Sequence, residues 1–209
     1  MPRAPRDWRA ILRQAELLVR NGDPRAFDVL RPALRWRYDM ARNHAVKLAA
    51  DLGPPAVPLL LTVLTSAKTA VERRAAADAL GQIGGPRATR TLDRALQDPS
   101  MVVRRAAMTG LLRIGAKDSI PHIFPLLEDS SGGVRVLAAH VLGRFRDRRA
   151  VLSLQRALRD PKWYVRQAAA AALGEIGDPR AIPSLRRAVR DSRKAVASAA
   201  AASLRVFQE

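Results

Sequence analysis

A 31-residue repeat running without insertion from residue 22 to residue 204 limits this chain more than any other feature. Leu18, Leu80, Leu111, Leu142, Leu173 and Leu204 stand on one 31-residue grid, with Ala49 filling its gap. Gly22, Gly53, Gly84, Gly115 and Gly177 stand on a second, broken once by Arg146. Arg42, Arg73, Arg104, Arg135 and Arg166 form a third grid, and Asp98, Asp129, Asp160 and Asp191 a fourth. Four grids of one period require stacked copies of a single small unit, each too short to bury its apolar face alone.

The unit reads as two helices. Residues 86–97, 117–128, 148–159 and 179–190 supply first helices, with Leu92, Ile123, Leu154 and Leu185 at buried positions. Residues 100–114, 131–145, 162–176 and 193–207 supply second helices. Within 103–114, Val103, Ala107, Gly110, Leu111 and Ile114 recur at three- and four-residue spacing and so share one helix face. The turn between units is Gly177-Asp178-Pro179. Glycine takes the left-handed position that ends one helix, aspartate caps the next, and proline stands in its first turn. Asn21-Gly22-Asp23-Pro24 repeats this turn near the start. Six helix pairs follow, over 24–52, 55–83, 86–114, 117–145, 148–176 and 179–207, with a leading helix at 7–20. The expected fold is an all-α, right-handed α-solenoid occupying 1–209 as one domain, about 60 Å long at ordinary helix spacings.

Val-Arg-x-Ala-Ala-x-x-x-Leu-Gly-x-Ile-Gly-Asp-Pro-Arg-Ala-Ile-Pro-x-Leu at 165–185 resembles the short HEAT repeat of the phycobilisome-lyase type, and the resemblance covers nearly the whole chain. It implies an armadillo-like superhelix whose second helices line a concave surface. Similar repeats occur in bilin lyases, a di-iron hydroxylase and many scaffolds, so the resemblance bears on fold far more than on function.

The charge is strongly basic, with 37 Lys+Arg against 19 Asp+Glu and a net +18. Residues 1–52 carry +5, residues 53–114 carry +5 and residues 115–209 carry +8, so a folded surface bears the excess rather than a tail. Such a field favours acidic partners. The arginine grid invites reading as a row of phosphate clamps, but each of Asp98, Asp129 and Asp160 precedes an arginine (Arg104, Arg135, Arg166) by six residues. Together with Arg42 and Arg73 these resemble the internal ladder of HEAT-like repeats, the arginine bridging to a carboxylate of its own or a neighbouring repeat. Ala197 replaces the arginine in the last unit. Trp36 takes the aspartate register of the first, which suggests an atypical capping repeat.

Binding residues are sought at positions the grids leave free. On the second helices these include Asn43, Lys47, Asp78 and Thr109, and a basic centre formed by Arg74, Arg105, Arg113 and Arg144 with His140 beside it. Trp163 and Tyr164 open a second helix and could present an aromatic edge at the concave rim. The outer side is basic too, through Arg87, Arg149 and Arg180 in one register and Arg94, Arg156 and Arg187 in another.

The residues offer little chemistry. The chain has no cysteine, and His44, His122 and His140 lie in different registers, none followed by glutamate. No zinc or iron ligand set, cofactor site or catalytic constellation is expected. No apolar run approaches the ~20 residues a membrane-spanning helix needs, and a soluble, unprocessed cytoplasmic protein is expected. The expected function is a non-catalytic scaffold or adaptor that binds an acidic protein along the concave face. A basic HEAT-like surface also suits nucleic acid, whose phosphates concave arginines would contact. The resemblance implies, as a third reading, bilin lyase-like handling of a chromophore. The Ala-rich final helix, with Val196, Leu204 and Phe207, is expected to leave an apolar side open to partner docking or end-to-end association.

Overall fold

The computed structural model describes residues 2–23 and 25–207, without the side chains of Asp39 and Asn43; the roles read above for Pro24 and for the Asn43 side chain fall outside the described residues. All regular structure among the described residues is helical. A leading helix α1 (Trp8–Arg20) precedes six pairs: α2 (Ala26–Ala33) with α3 (Asp39–Asp51), α4 (Val57–Ser66) with α5 (Ala70–Ile83), α6 (Pro86–Ala95) with α7 (Met101–Ile114), α8 (Ile120–Ile123) with α9 (Gly132–Phe145), α10 (Val151–Ala157) with α11 (Trp163–Ile176), and α12 (Ile182–Ala188) with α13 (Lys194–Arg205). Each pair falls inside one 31-residue repeat, and the chain is an α-solenoid.

The first helices depart from the expected continuous segments. Four of them are led by a 3-10 turn, at Pro54–Ala56, Lys117–Ser119, Arg148–Ala150 and Pro179–Ala181. The segment expected as one helix over 117–128 is a four-residue α8 followed by a 3-10 turn at Phe124–Glu128. Pro125 causes the change: without an N–H it cannot bond back along the helix, and its ring crowds the preceding turn.

The chain falls into two compact units, residues 1–114 and 115–209, divided at a turn between repeats. In the first unit α3, α5 and α7 pack in a row, with first helices against them. Leu80 and Leu111 on the second helices and Leu30, Leu60 and Leu92 on the first are fully buried there. In the second unit α9, α11 and α13 form the corresponding row. Leu142 and Leu173 meet Ile123, Leu154 and Leu185, all fully buried.

Small residues let these second helices approach backbone to backbone. A Cβ on Gly81 would lie 2.5 Å from Gly110 Cα, and one on Gly143 would lie 2.9 Å from Ala172 Cα. Gly174 meets Ser203 in the same way, and the Ser203 hydroxyl donates to the Ala170 carbonyl at 2.9 Å. The expectation for the last helix is corrected at one residue: Val196 is fully buried and points back into the repeat, whereas Leu204 and Phe207 are half-buried, and Lys194, Ser198, Ala202 and Arg205 are exposed beside them.

The inter-repeat turn has the geometry its residues imply. Gly177 takes φ 67°, and the Asp178 carboxylate accepts the Arg180 N–H at 2.9 Å. Where the glycine grid breaks, the backbone keeps its shape: Arg146 takes φ 53°, and Asp147 caps Arg149 N–H at 2.8 Å. A side-chain-bearing residue in the left-handed region costs about 1–2 kcal/mol, partly offset because glycine loses more freedom on folding. Arg146→Gly is therefore expected to raise stability by about 0.5–1 kcal/mol, read as a higher urea midpoint at unchanged m-value.

Candidate functional site

Most arginines of the repeat grid are committed to structure. In the first unit, Arg73 donates Nε and Nη2 to both oxygens of Asp98 at 2.7 and 2.9 Å, while its Nη1 donates to the Ala67 carbonyl at 3.0 Å. In the second, Arg135 holds Asp160 at 2.6 and 2.9 Å, and Arg166 holds Asp191 at 2.7 and 2.9 Å. Both also donate Nη1 to a carbonyl six residues back, at Asp129 and Asp160. Arg104 likewise donates to the Asp98 carbonyl at 2.7 Å, and the buried Arg42 to that of Trp36 at 2.7 Å. Arg73, Arg135 and Arg166 thus each grip the turn of their own repeat by a carbonyl and the turn of the following repeat by a carboxylate.

The aspartates do a second job. Asp98 accepts the Ser100 N–H, Asp129 the Ser131 N–H and Asp160 the Lys162 N–H, each at 2.8 Å, and so organise the start of a second helix. The fork-on-fork geometry is the strong form of a charge-assisted bond, and little of it is wetted. The Arg135 and Asp160 side chains are 12% and 8% exposed. Removing the guanidinium leaves a buried carboxylate uncompensated, at a cost of about 3 kcal/mol. Arg135→Leu should lower the unfolding free energy by about that amount in urea titrations, with the second-unit helices still present by circular dichroism.

A second set of arginines is neutralised at the caps. Arg25, Arg149 and Arg180 fold back onto Asp23, Asp147 and Asp178, with closest contacts of 2.6, 2.6 and 2.8 Å. Arg149 and Arg180, counted above toward a basic outer register, are therefore paired within their own turns, which the sequence reading missed. The Arg180 guanidinium and backbone N–H hold the Asp178 carboxyl down to about 2. Arg149 lowers Asp147 in the same way, and Arg166 lowers Asp191. For Asp98, burial acts upward but is outweighed by Arg73, the Ser100 N–H and the charge of Arg104. Depressed carboxyls stabilise the fold above their unfolded value near 3.9 and cease to do so as pH falls through the folded value. Stability should accordingly be flat above about pH 5 and drop between about pH 4 and pH 2, measured by thermal melts across that range.

The exposed positions of the second helices carry the rest of the candidate surface. In the first unit, Arg74, Arg105, Thr109 and Arg113 are exposed on α5 and α7, with Lys47 exposed on α3. Arg74 pairs with Asp78 at 3.4 Å. Burial raises the Asp78 pKa, opposed by the charges of Arg74 and Arg113. In the second unit, His140 and Arg144 are exposed one turn apart on α9. Among the described residues, Arg105, Arg113 and Arg144 show no ion pair with a carboxylate. Trp163 and Tyr164 are 39% and 37% exposed and meet edge to face at 5.8 Å. Tyr164 covers the start of α9, its hydroxyl standing where a Cβ on Gly132 would be.

One cluster escaped the repeat-based reading because three of its residues, Arg3, Arg6 and Trp8, precede the periodic register. Arg3, Arg6 and Arg37 line a cavity with Trp8 and Tyr38, whose rings meet edge to face at 5.6 Å. The Arg37 N–H donates to the Pro2 carbonyl at 2.8 Å and ties the N-terminal segment to the turn that carries Tyr38. The cluster's only sequence signal is the alternation of arginine with proline and tryptophan at 2–9. Among the described residues no group of His, Asp or Glu is placed to hold a metal ion, and no helix is long and apolar enough to cross a membrane.

Comparison with known proteins agrees with this architecture. A family model described as HEAT repeats matches residues 28–111, 57–132 and 120–205. No curated protein matches the chain by sequence. Among solved structures it is similar to Kap95p bound to RanGDP, with a TM-score of 0.69 at 15% identity over 88% of this chain and 30% of that one. A designed armadillo repeat protein in complex with the peptide (KR)4 superposes with a TM-score of 0.61 at 17% identity, over 85% of this chain and 98% of that one. Human deoxyhypusine hydroxylase gives 0.53 at 21% identity, over 95% of this chain and 79% of that one. At these identities the likeness concerns the fold.

Proposed function

Because the chain belongs to the HEAT-repeat family, we propose that it is a non-catalytic scaffold or adaptor whose exposed second-helix arginines bind an acidic protein. The carrying observation is how the guanidiniums are distributed. Arg73, Arg135, Arg166 and the cap arginines are neutralised by aspartates in place, whereas Arg105, Arg113 and Arg144 stand exposed with no ion-pair partner among the described residues. Exposed, unpaired charge of one sign steers a partner of the other and sets the salt dependence of its capture. Solenoids of similar fold take macromolecular ligands, RanGDP for Kap95p and a basic peptide for the designed armadillo protein. The cationic surface here calls for the opposite ligand sign, and the scaffold is read as working in the cytoplasm. Arg105→Glu/Arg113→Glu/Arg144→Glu should retain its helical spectrum and lose the acidic, salt-eluted proteins that the wild-type chain holds on a column. Equal retention by both, judged by mass spectrometry, would remove these arginines from the function.

A nucleic-acid ligand is a second reading, favoured by one observation: Arg3, Arg6 and Arg37 line one cavity with Trp8 and Tyr38, a combination that suits phosphates and stacked bases. Band shifts with single-stranded and duplex oligonucleotides at two salt concentrations separate the readings. A low-salt shift abolished by Trp8→Ala but kept in the triple glutamate variant would support nucleic acid.

A further inference from the structure

The first helices, which the surface proposed above does not use, hold a groove of their own. In the first unit residues of α2, of α4 and of the segments flanking them line a cavity of about 540 Å³. Phe27, Pro58, Leu59 and Val63 make its apolar floor, and Arg31 and Arg35 stand along one wall. Both arginines are exposed, and among the described residues neither has an ion-pair partner. Arg31 stands on α2 and Arg35 in the turn that follows it. Thr62 and Ser66 also line the groove, but their hydroxyl protons are spent on the Pro58 and Thr62 carbonyls at 3.0 and 2.6 Å. The hydroxyl oxygens are left as acceptors, and the arginines are the groove's donors.

Grooves between successive first helices in the second unit differ in one respect. The cavity beside α10 on its α8 side, about 460 Å³, is lined by Glu128, Asp129 and Asp160 together with Arg135, Arg156 and Arg159, and the one between α10 and α12, about 290 Å³, by Asp191 together with Arg159, Arg187 and Arg190. In both, a ladder aspartate gives the lining arginines a carboxylate neighbour. In the first unit that register is held by Ala67, 31 residues before Asp98, and the groove has no acid in its lining. One substitution in the repeat leaves this groove with arginines and no carboxylate in its lining.

We propose that the α2–α4 groove docks an acidic peptide segment of a protein partner. An aliphatic or aromatic side chain of the segment lies on Phe27 and Leu59, its carboxylates meet Arg31 and Arg35, and its backbone N–H groups face the Thr62 and Ser66 oxygens. A volume of about 540 Å³ lies within the usual range for binding cavities, and Arg–carboxylate bonds supply both affinity and orientation. The inference rests on the reading of the ligand as an acidic protein, but it places the contact on the other helix layer.

The test selects a random peptide library displayed on phage against the wild-type chain, then measures the enriched peptides by fluorescence polarisation. The expected peptides combine an apolar residue with acidic neighbours. They should bind Arg31→Glu/Arg35→Glu about tenfold or more weakly, bind Leu59→Ala several-fold more weakly, and bind the Arg105→Glu/Arg113→Glu/Arg144→Glu variant unchanged. Circular dichroism checks each fold, and Arg31→Gln/Arg35→Gln replaces the glutamate pair should that variant misfold. Failure to enrich any peptide, a neutral or basic consensus, or indifference to the groove variants overturns the proposal. Peptides that lose binding only to the triple glutamate variant overturn the groove and leave the second-helix surface standing. Groove-dependent binding beside unchanged column retention by the triple variant does the reverse.

Discussion

A guanidinium divided between two consecutive turns sets the spacing of this solenoid. Its fork spans the carbonyl of its own repeat and the carboxylate of the next, as Arg73, Arg135 and Arg166 show with Asp98, Asp160 and Asp191. The pair is directional as well as attractive, since a planar donor accepts few arrangements of its two acceptors. Burying such charges costs desolvation, so the net gain over a well-packed apolar pair is small. What the pair adds is register: one repeat cannot slide along its neighbour without stranding a buried ion. The backbone contacts at Gly81 and Gly110, and at Gly143 and Ala172, depend on that register, because a slip of one position would drive a side chain into them.

Charge is therefore used at two scales. Locally, aspartates of the ladder and of the caps neutralise the arginines nearest them, and these pairs hold turns in place. Globally, the surplus behind the net +18 falls on exposed side chains of first and second helices alike, among them Arg94, Arg105, Arg144, Arg156 and Arg187. Arg149 and Arg180 show why a count of arginines per face misleads: both are exposed, yet each is already held by the aspartate that caps its helix. Exposure alone does not mark a cation as available.

Much of this fold is legible in the sequence, because the 31-residue period identifies equivalent positions and each turn names its own residues. Second-helix limits, the left-handed glycines and the aspartate caps follow directly. Partner choice does not. An aspartate six residues before an arginine looks like its natural mate, but that arginine takes the aspartate's carbonyl, while its carboxylate comes from 25 residues further on. A period shows that two positions are alike without showing which neighbour each one touches. The broken helix at Ile120–Ile123 and the inward turn of Val196 were hidden for related reasons, one set by a single proline and the other by the packing of a whole helix. Of the candidate site, the exposed arginines could be listed from register alone. The groove at Ala67 could not, because its character comes from a residue that is missing.

The inter-repeat turns have a latent property. At Gly22 and Gly53 in one unit, and at Gly115 and Gly177 in the other, the space a Cβ would enter is empty out to 4 Å. Glycine is there for torsional ease alone, and Arg146 occupies the equivalent place with its side chain in water. The turns therefore offer a series of mutable outposts. New chemical groups can be installed there for a modest local strain while the packed interior remains untouched, so the surface of such a chain can diversify far faster than its architecture.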